Sequence, residues 1–223
     1  DGKNYETYKT QNSIGSFHRN YGNFAHKVRC LTYLNALGSE GIKRMSSVAV
    51  LSSCYLFNKL KSEFPTLPFG AEDVQRLHEF IITLPESTFT KISENGIPKS
   101  QIIGKLGKLF LDFGIHAPTV SFPEPFGLMI EPTESYSKAE LDKFFNVLIT
   151  IKEIINNNPE VLQTVPHFTP VSKVDEVKAN KDLKLFDDYT GLPKLTENKI
   201  SPTELSNMTV NDVAETIINS HRK

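Results

Sequence analysis

The sequence predicts a small α+β layer preceded by helices that belong to a different unit. Three observations carry this. Segments rich in β-formers lie near residues 80–84, 119–122 and 127–130, with prolines at their ends. Amphipathic helical stripes fall between and after them, and residues 23–64 show helical spacing with no strand pattern. The order from residue 66 onward is strand, helix, strand, strand, helix, so helices should cover one face of a mainly antiparallel sheet.

Each element has its own reason. Phe24, Val28, Leu31 and Leu34 recur at helical spacing over residues 23–37, and Gly38 offers a C-terminal stop. A second stripe, Met45, Val48, Ser52, Tyr55, Leu56 and Leu60, runs to about residue 64, where Pro65 and Pro68 close it. A helix of that length reaches from one domain into the next. Phe80-Ile81-Ile82-Thr83-Leu84 reads as a strand ended by Pro85. Ile102, Ile103, Leu106, Leu109 and Phe110 share a helical face, while Gly104 and Gly107 each cost about 1 kcal/mol relative to Ala, so tertiary packing must hold that helix. Pro123-Glu124-Pro125 separates two short strands. Ser137-Lys138-Ala139-Glu140 is a capping box opening a helix whose buried stripe is Leu141, Phe144, Phe145, Leu148, Ile151 and Ile155. From about residue 180 the chain is charged and irregular until Thr209 to Asp212 starts a short helix through Val213, Ala214, Ile217 and Ile218. The expected organisation is residues 1–65, 66–179 and 180–223.

Composition excludes several function classes. With 25 basic and 26 acidic residues the net charge is -1, which offers no field for nucleic acid or an anionic membrane. No apolar run approaches a membrane span of about 20 residues, and the polar first residues make no signal peptide, so a cytoplasmic location is expected. Cys30 and Cys54 fall on helical patterns without a second ligand and read as buried thiols; no metal site is expected. The first residue is Asp1 rather than Met, which reads as an internal start.

The candidate chemistry clusters at strand ends. His116 lies in a corner between Gly114 and Pro118, where rigid loops commonly carry site residues. Its site and structural readings are balanced on the residues alone. Leu77-His78-Glu79-Phe80 places a His and a carboxylate where a strand begins. Strand alternation would send those two to opposite faces, with His78 either a site edge or a hydrogen-bonded boundary residue. Glu131 and Glu134, split by Pro132 and Thr133, suit acid–base work or equally the fixing of a turn. Thr119 stands at the mouth of the second strand, and His167 lies extended between Pro166 and Pro170. At Tyr21-Gly22-Asn23 a Gly turn before a helix offers backbone donors and a positive dipole end to an anion, and serves as well as an ordinary Asn cap.

These motifs together resemble the glycine decarboxylase P-protein family, and within it the second subunit of the two-subunit form. The resemblance runs over about residues 13–178. It rests on Ser13-Ile14-Gly15, Tyr21-Gly22-Asn23-Phe24, Leu37-Gly38-Ser39-Glu40-Gly41, His78-Glu79-Phe80, Asp112-Phe113-Gly114, His116-Ala117-Pro118-Thr119, Met129-Ile130-Glu131-Pro132-Thr133-Glu134 and Pro166-His167. It implies the C-terminal part of a fold type I pyridoxal phosphate enzyme of the aspartate aminotransferase kind. Residues 1–65 would then end the large domain, and residues 66–179 would form the small one. The implied reaction decarboxylates glycine and transfers its aminomethyl group to the lipoyl arm of the H-protein, with P-protein subunit 1 as a further partner. The cofactor-bearing lysine is expected upstream of residue 1, leaving this stretch inactive alone. By the same resemblance, His116, His78 and Glu131 are candidate catalytic residues. Tyr21, Gly22 and Asn23 would meet the cofactor phosphate, and Thr119, Thr133 and His167 the substrate or lipoyl entrance. Two rival readings remain: a non-catalytic subunit of the same fold, or a domain that only binds the carrier protein. The tail beyond residue 178 departs from the family pattern.

Overall fold

Helical periodicity from residue 24 is continuous enough that one long helix forms. In the computed structural model, which describes residues 8–15, 22–169, 171–172, 174–183 and 199–221, helix α1 spans Phe24–Leu60. Gly38 interrupts its geometry, with φ 61° and ψ -178°, but the helix resumes at once rather than stopping for a new start near Met45. The predicted stop is therefore a kink. The chain divides into two compact units within α1, residues 1–45 and residues 46–223.

In the first unit, Phe24, Val28, Leu31 and Leu34 form an exposed apolar stripe. Cys30 is exposed as well, so the expectation of a buried thiol fails there, while Cys54 in the second unit is half-buried and its thiol meets the Arg76 carbonyl.

The second unit is built on four antiparallel strands in the order β1-β2-β4-β3: β1 Thr66–Leu67, β2 Phe80–Thr83, β3 Thr119–Val120 and β4 Gly127–Ile130. The central register pairs Phe80 with Ile130 and Ile82 with Leu128. Paired residues of an antiparallel ladder point the same way, so these four apolar side chains form one buried face. Their partners come from Leu56, Phe57 and Leu60 of α1, from α2 (Glu86–Glu94), from α3 (Lys99–Asp112) and from α4 (Lys138–Asn157). Phe57 meets Phe80 edge to face, with ring centroids 5.4 Å apart.

The expected strand, helix, strand, strand, helix order lacked two elements. β1 is only two residues long and sits inside the proline break. α2 begins directly after Pro85 and buries Thr88, Phe89 and Ile92. The capping box at Ser137 forms as predicted: Ser137 Oγ accepts from the Glu140 amide, and the Glu140 carboxylate accepts from Ser137 N–H at 2.7 Å. After α4 come a short 3₁₀ helix, Pro159–Gln163, then α5 (Glu176–Lys181), α6 (Pro202–Asn207) and α7 (Val210–His221). The segment read as irregular from about residue 180 to Thr209 therefore holds a short helix, α6, among its described residues, and α5 ends where that segment begins. α7 packs on α4 and buries Val213 and Ile217.

Candidate active-site cleft

The site grows from the way α3 ends. Gly114 takes a left-handed conformation (φ 68°), its N–H donates to the Leu111 carbonyl, and the Ile115 N–H reaches back to the Phe110 carbonyl. This is a Schellman motif, and glycine suits its left-handed position because it has no Cβ to clash. It terminates the helix and turns the chain outward, so that Ile115, His116, Ala117 and Pro118 form one wall of a cleft of about 540 Å³. Thr119 and Met129 continue that wall on the strands, where they are cross-strand partners. Glu131 and Pro132 follow at the end of β4. The opposite wall is the start of α4: Tyr136, Glu140, Leu141, Lys143 and Phe144.

The His116 ring lies beside a carbonyl, and that fixes its tautomer. Nδ1 is 2.9 Å from the Ala117 oxygen, which can only accept, so Nδ1 carries the hydrogen. In the neutral ring Nε2 then keeps its lone pair for a proton or a hydrogen-bond donor. Across the cleft, Glu140 is already committed. The hydrogen bonds from the Ser137 backbone and hydroxyl hold its carboxyl below the usual range. Two residues on, Lys138, Lys59 and Tyr55 together hold the Asp142 carboxyl well below its ordinary value, tying α4 to α1.

His78 and Glu79 correct the sequence reading. β2 starts at Phe80, so both residues precede the pleat and need not alternate. Their side chains approach, with His78 Nε2 3.8 Å from Glu79 Oε2. One step beyond the Phe80–Ile130 pair, Glu131 joins them, and all three groups present ligand atoms within 4.8 Å of one another. The three are exposed, and Glu131 links this cluster to the cleft.

Other predicted residues go elsewhere. Thr133 Oγ1 accepts from the Ser135 N–H in its own turn. His167 is buried against Asp112: Nδ1 lies 2.8 Å from Oδ2, and Oδ1 accepts from the backbone amides of His167 and Phe168. Nε2 shares a hydrogen bond with the Thr164 hydroxyl at 3.0 Å. This corner does not line the cleft. In the first unit, Gly22 has φ 90° directly before α1, and the Asn23 carbonyl accepts from the Lys27 N–H. Tyr21 lies outside the described residues.

Sequence reasoning passed over Tyr136, Lys143 and Met129. A signal existed for Tyr136: it precedes the capping Ser137 while Leu141 sits four positions into the helix, the two places where apolar groups meet at a helix start. For Met129, the alternation of β4 opposite to Leu128 and Ile130 was available.

Comparison with known proteins agrees with the resemblance. Residues 45–167 match the family described as glycine dehydrogenase, C-terminal domain. The probable glycine dehydrogenase (decarboxylating) subunit 2 of Pyrococcus furiosus is 41% identical over 183 residues, covering 81% of this chain and 34% of the relative. Its counterpart in Thermococcus kodakarensis is 42% identical over 183 residues, with coverage of 79% and 34%. That of Thermotoga maritima is 37% identical over 183 residues, with coverage of 81% and 36%. The chain thus spans about a third of the length of these relatives. With more than half of its residues matched, the chain belongs to the glycine dehydrogenase C-terminal domain family.

Proposed function

We propose that this chain forms the C-terminal part of a glycine dehydrogenase (decarboxylating) subunit 2, and that its cleft is one wall of the site where glycine is decarboxylated and the aminomethyl group passes to the lipoyl arm of the H-protein. The observation that carries this is the meeting of His116, Thr119 and Glu131 in a single cleft within the matched domain. The β3–β4 pairing brings the loop of His116 and Thr119 beside the strand end at Glu131, so that three polar groups face one cavity within a wall that is otherwise largely apolar.

His116 presents Nε2 as proton acceptor or donor, its ring orientation held by the Ala117 carbonyl. Glu131, with Glu79 and His78 beside it, supplies negative charge at the rim, suited to an ammonium group. Thr119 offers a hydroxyl, and Met129, Ile115 and Phe144 supply an apolar lining able to hold an extended aliphatic arm. In this reading Thr133 and His167 stabilise their local turns rather than touch substrate.

Pyridoxal phosphate, the cofactor of this family, supplies when bound a sink for the electrons left behind as carbon dioxide departs. The turn at Gly22 and Asn23 fits its phosphate. A left-handed glycine opens a 37-residue helix there, and a Cβ on Gly22 would meet nothing nearer than the Lys27 side chain at 4.0 Å. First-turn amides and a nearby ammonium are the donors an anion needs. The further partners are P-protein subunit 1 and the lipoylated H-protein.

The test uses the complete subunit copurified with its partner subunit. Its cofactor absorbance should shift on adding glycine; a cofactor-loaded enzyme whose spectrum ignores glycine would contradict the proposal, and a protein without cofactor would favour a non-catalytic subunit.

A further inference from the structure

Beyond the residues matched by the family, at 199–221, the chain returns to the core of the second unit. Its course is set by local sequence. Ser201 and Glu204 form a second capping box, Pro202 occupies the first turn of α6, and Thr209 with Asp212 makes the same reciprocal contacts at the start of α7. α7 is anchored by Val213 and Ile217, both buried. Ahead of these anchors, α6 lays Leu205 over the corner that ends α3. A Cβ placed on Gly114 would lie 3.2 Å from Leu205 Cδ2, and Leu205 itself packs against the core. Upstream, Lys199 Nζ donates to the His167 carbonyl at 2.8 Å.

Gly114 is therefore contacted by α6 and also lines the cleft, two residues before His116. Glycine is unstrained there but also free to adopt many other conformations, so the corner is held by its Schellman hydrogen bonds and by whatever packs on it. We propose that α6 and α7 buttress the cleft wall, and that Leu205 is a positioning residue for His116. The segment acts through Gly114, without touching the cleft itself. The inference rests on the cleft reading only for its catalytic consequence; the mechanical claim stands on the contact alone.

Leu205→Ala in the 223-residue chain tests it by amide hydrogen exchange and by the His116 ring signals in NMR. Exchange over residues 113–118 should quicken by about tenfold, as expected for losing part of a half-buried leucine, and the His116 signals should shift, while α3 and α4 amides keep their protection. Leu205→Met should restore both. If Leu205→Ala does not fold, Leu205→Val gives the same comparison with a smaller loss. Unchanged exchange and an unmoved His116 signal would overturn the proposal. So would a uniform rise across the whole unit, which would make Leu205 an ordinary core residue. In the complete enzyme the same variant should lower kcat more than it raises KM. Wild-type kinetics there, with the loop loosened, would count against the role assigned to the cleft and leave the buttress standing.

Discussion

Two constellations of the second unit use the same residue types for opposite ends. At Asp112 and His167 a carboxylate and an imidazole are buried together, and both carboxylate oxygens accept hydrogen bonds from residues 167 and 168. At His78, Glu79 and Glu131 the same groups stand exposed at the end of a strand pair, and the His78–Glu79 approach is longer than a hydrogen bond. The first has spent its polar capacity on holding a loop. The second leaves its lone pairs open to solvent. Burial with full satisfaction thus separates architecture from chemistry more clearly than residue type does.

The largest expected effect attacks the buried corner. Asp112→Ala leaves two amides and an imidazole without their acceptor and should destabilise the chain by about 3–5 kcal/mol in urea unfolding. A loss of less than about 1 kcal/mol would mean that the corner is not the clamp described. Ser137→Ala removes the acceptor at the start of α4 and should cost about 1 kcal/mol. Asp142→Asn gives a pH-dependent difference. Its carboxyl is held low in the folded state by Lys138, Lys59 and Tyr55, so its stabilisation is complete above the ordinary carboxylate value of about 4 and fades as pH falls below it. Thermal midpoints of wild type and variant should therefore differ at neutral pH and converge in acid; a constant gap would remove the ionised carboxylate from the account. Smallest of all, Glu131→Gln should change unfolding free energy by no more than about 0.5 kcal/mol, because an exposed carboxylate at a strand end carries little of the fold.

Much of this was legible in the sequence because it is local. The Ser137-x-x-Glu140 spacing, the strand at 127–130 and the stripe of α4 each lie within one element, and the first two formed. The stripe formed in part, with Leu141, Leu148, Ile151 and Ile155 buried, Phe144 and Phe145 half-buried, and Val147 and Ile154 buried beside them. β1 was missed since two residues between prolines carry no periodicity. α2 was missed since its helix start is a proline rather than a side-chain cap. The second capping box, Ser201 to Glu204, has the spacing of the first but opens a helix of only six residues, too short to show an apolar stripe. His78 and Glu79 were assigned opposite faces by a rule that holds inside a strand, and they stand just outside it. The Asp112–His167 pairing spans 55 residues and leaves no local trace; only the folded chain brings its two ends together. The cleft lies between these cases. His116, Thr119 and Glu131 stood out one by one, but their common wall depends on a Schellman turn meeting the end of β4.

The most direct test compares stability and turnover in the same variants of the complete enzyme, assembled with its partner subunit and supplied with glycine and lipoylated H-protein. His116→Ala and Glu131→Gln should unfold within a few degrees of wild type, yet His116→Ala should release carbon dioxide from glycine about 100-fold more slowly or worse, the usual scale for losing a proton-transfer group, and Glu131→Gln should slow it by weakening the hold on the ammonium group. Wild-type turnover in both variants would contradict the account and return the cleft to architecture, alongside the corner at Asp112.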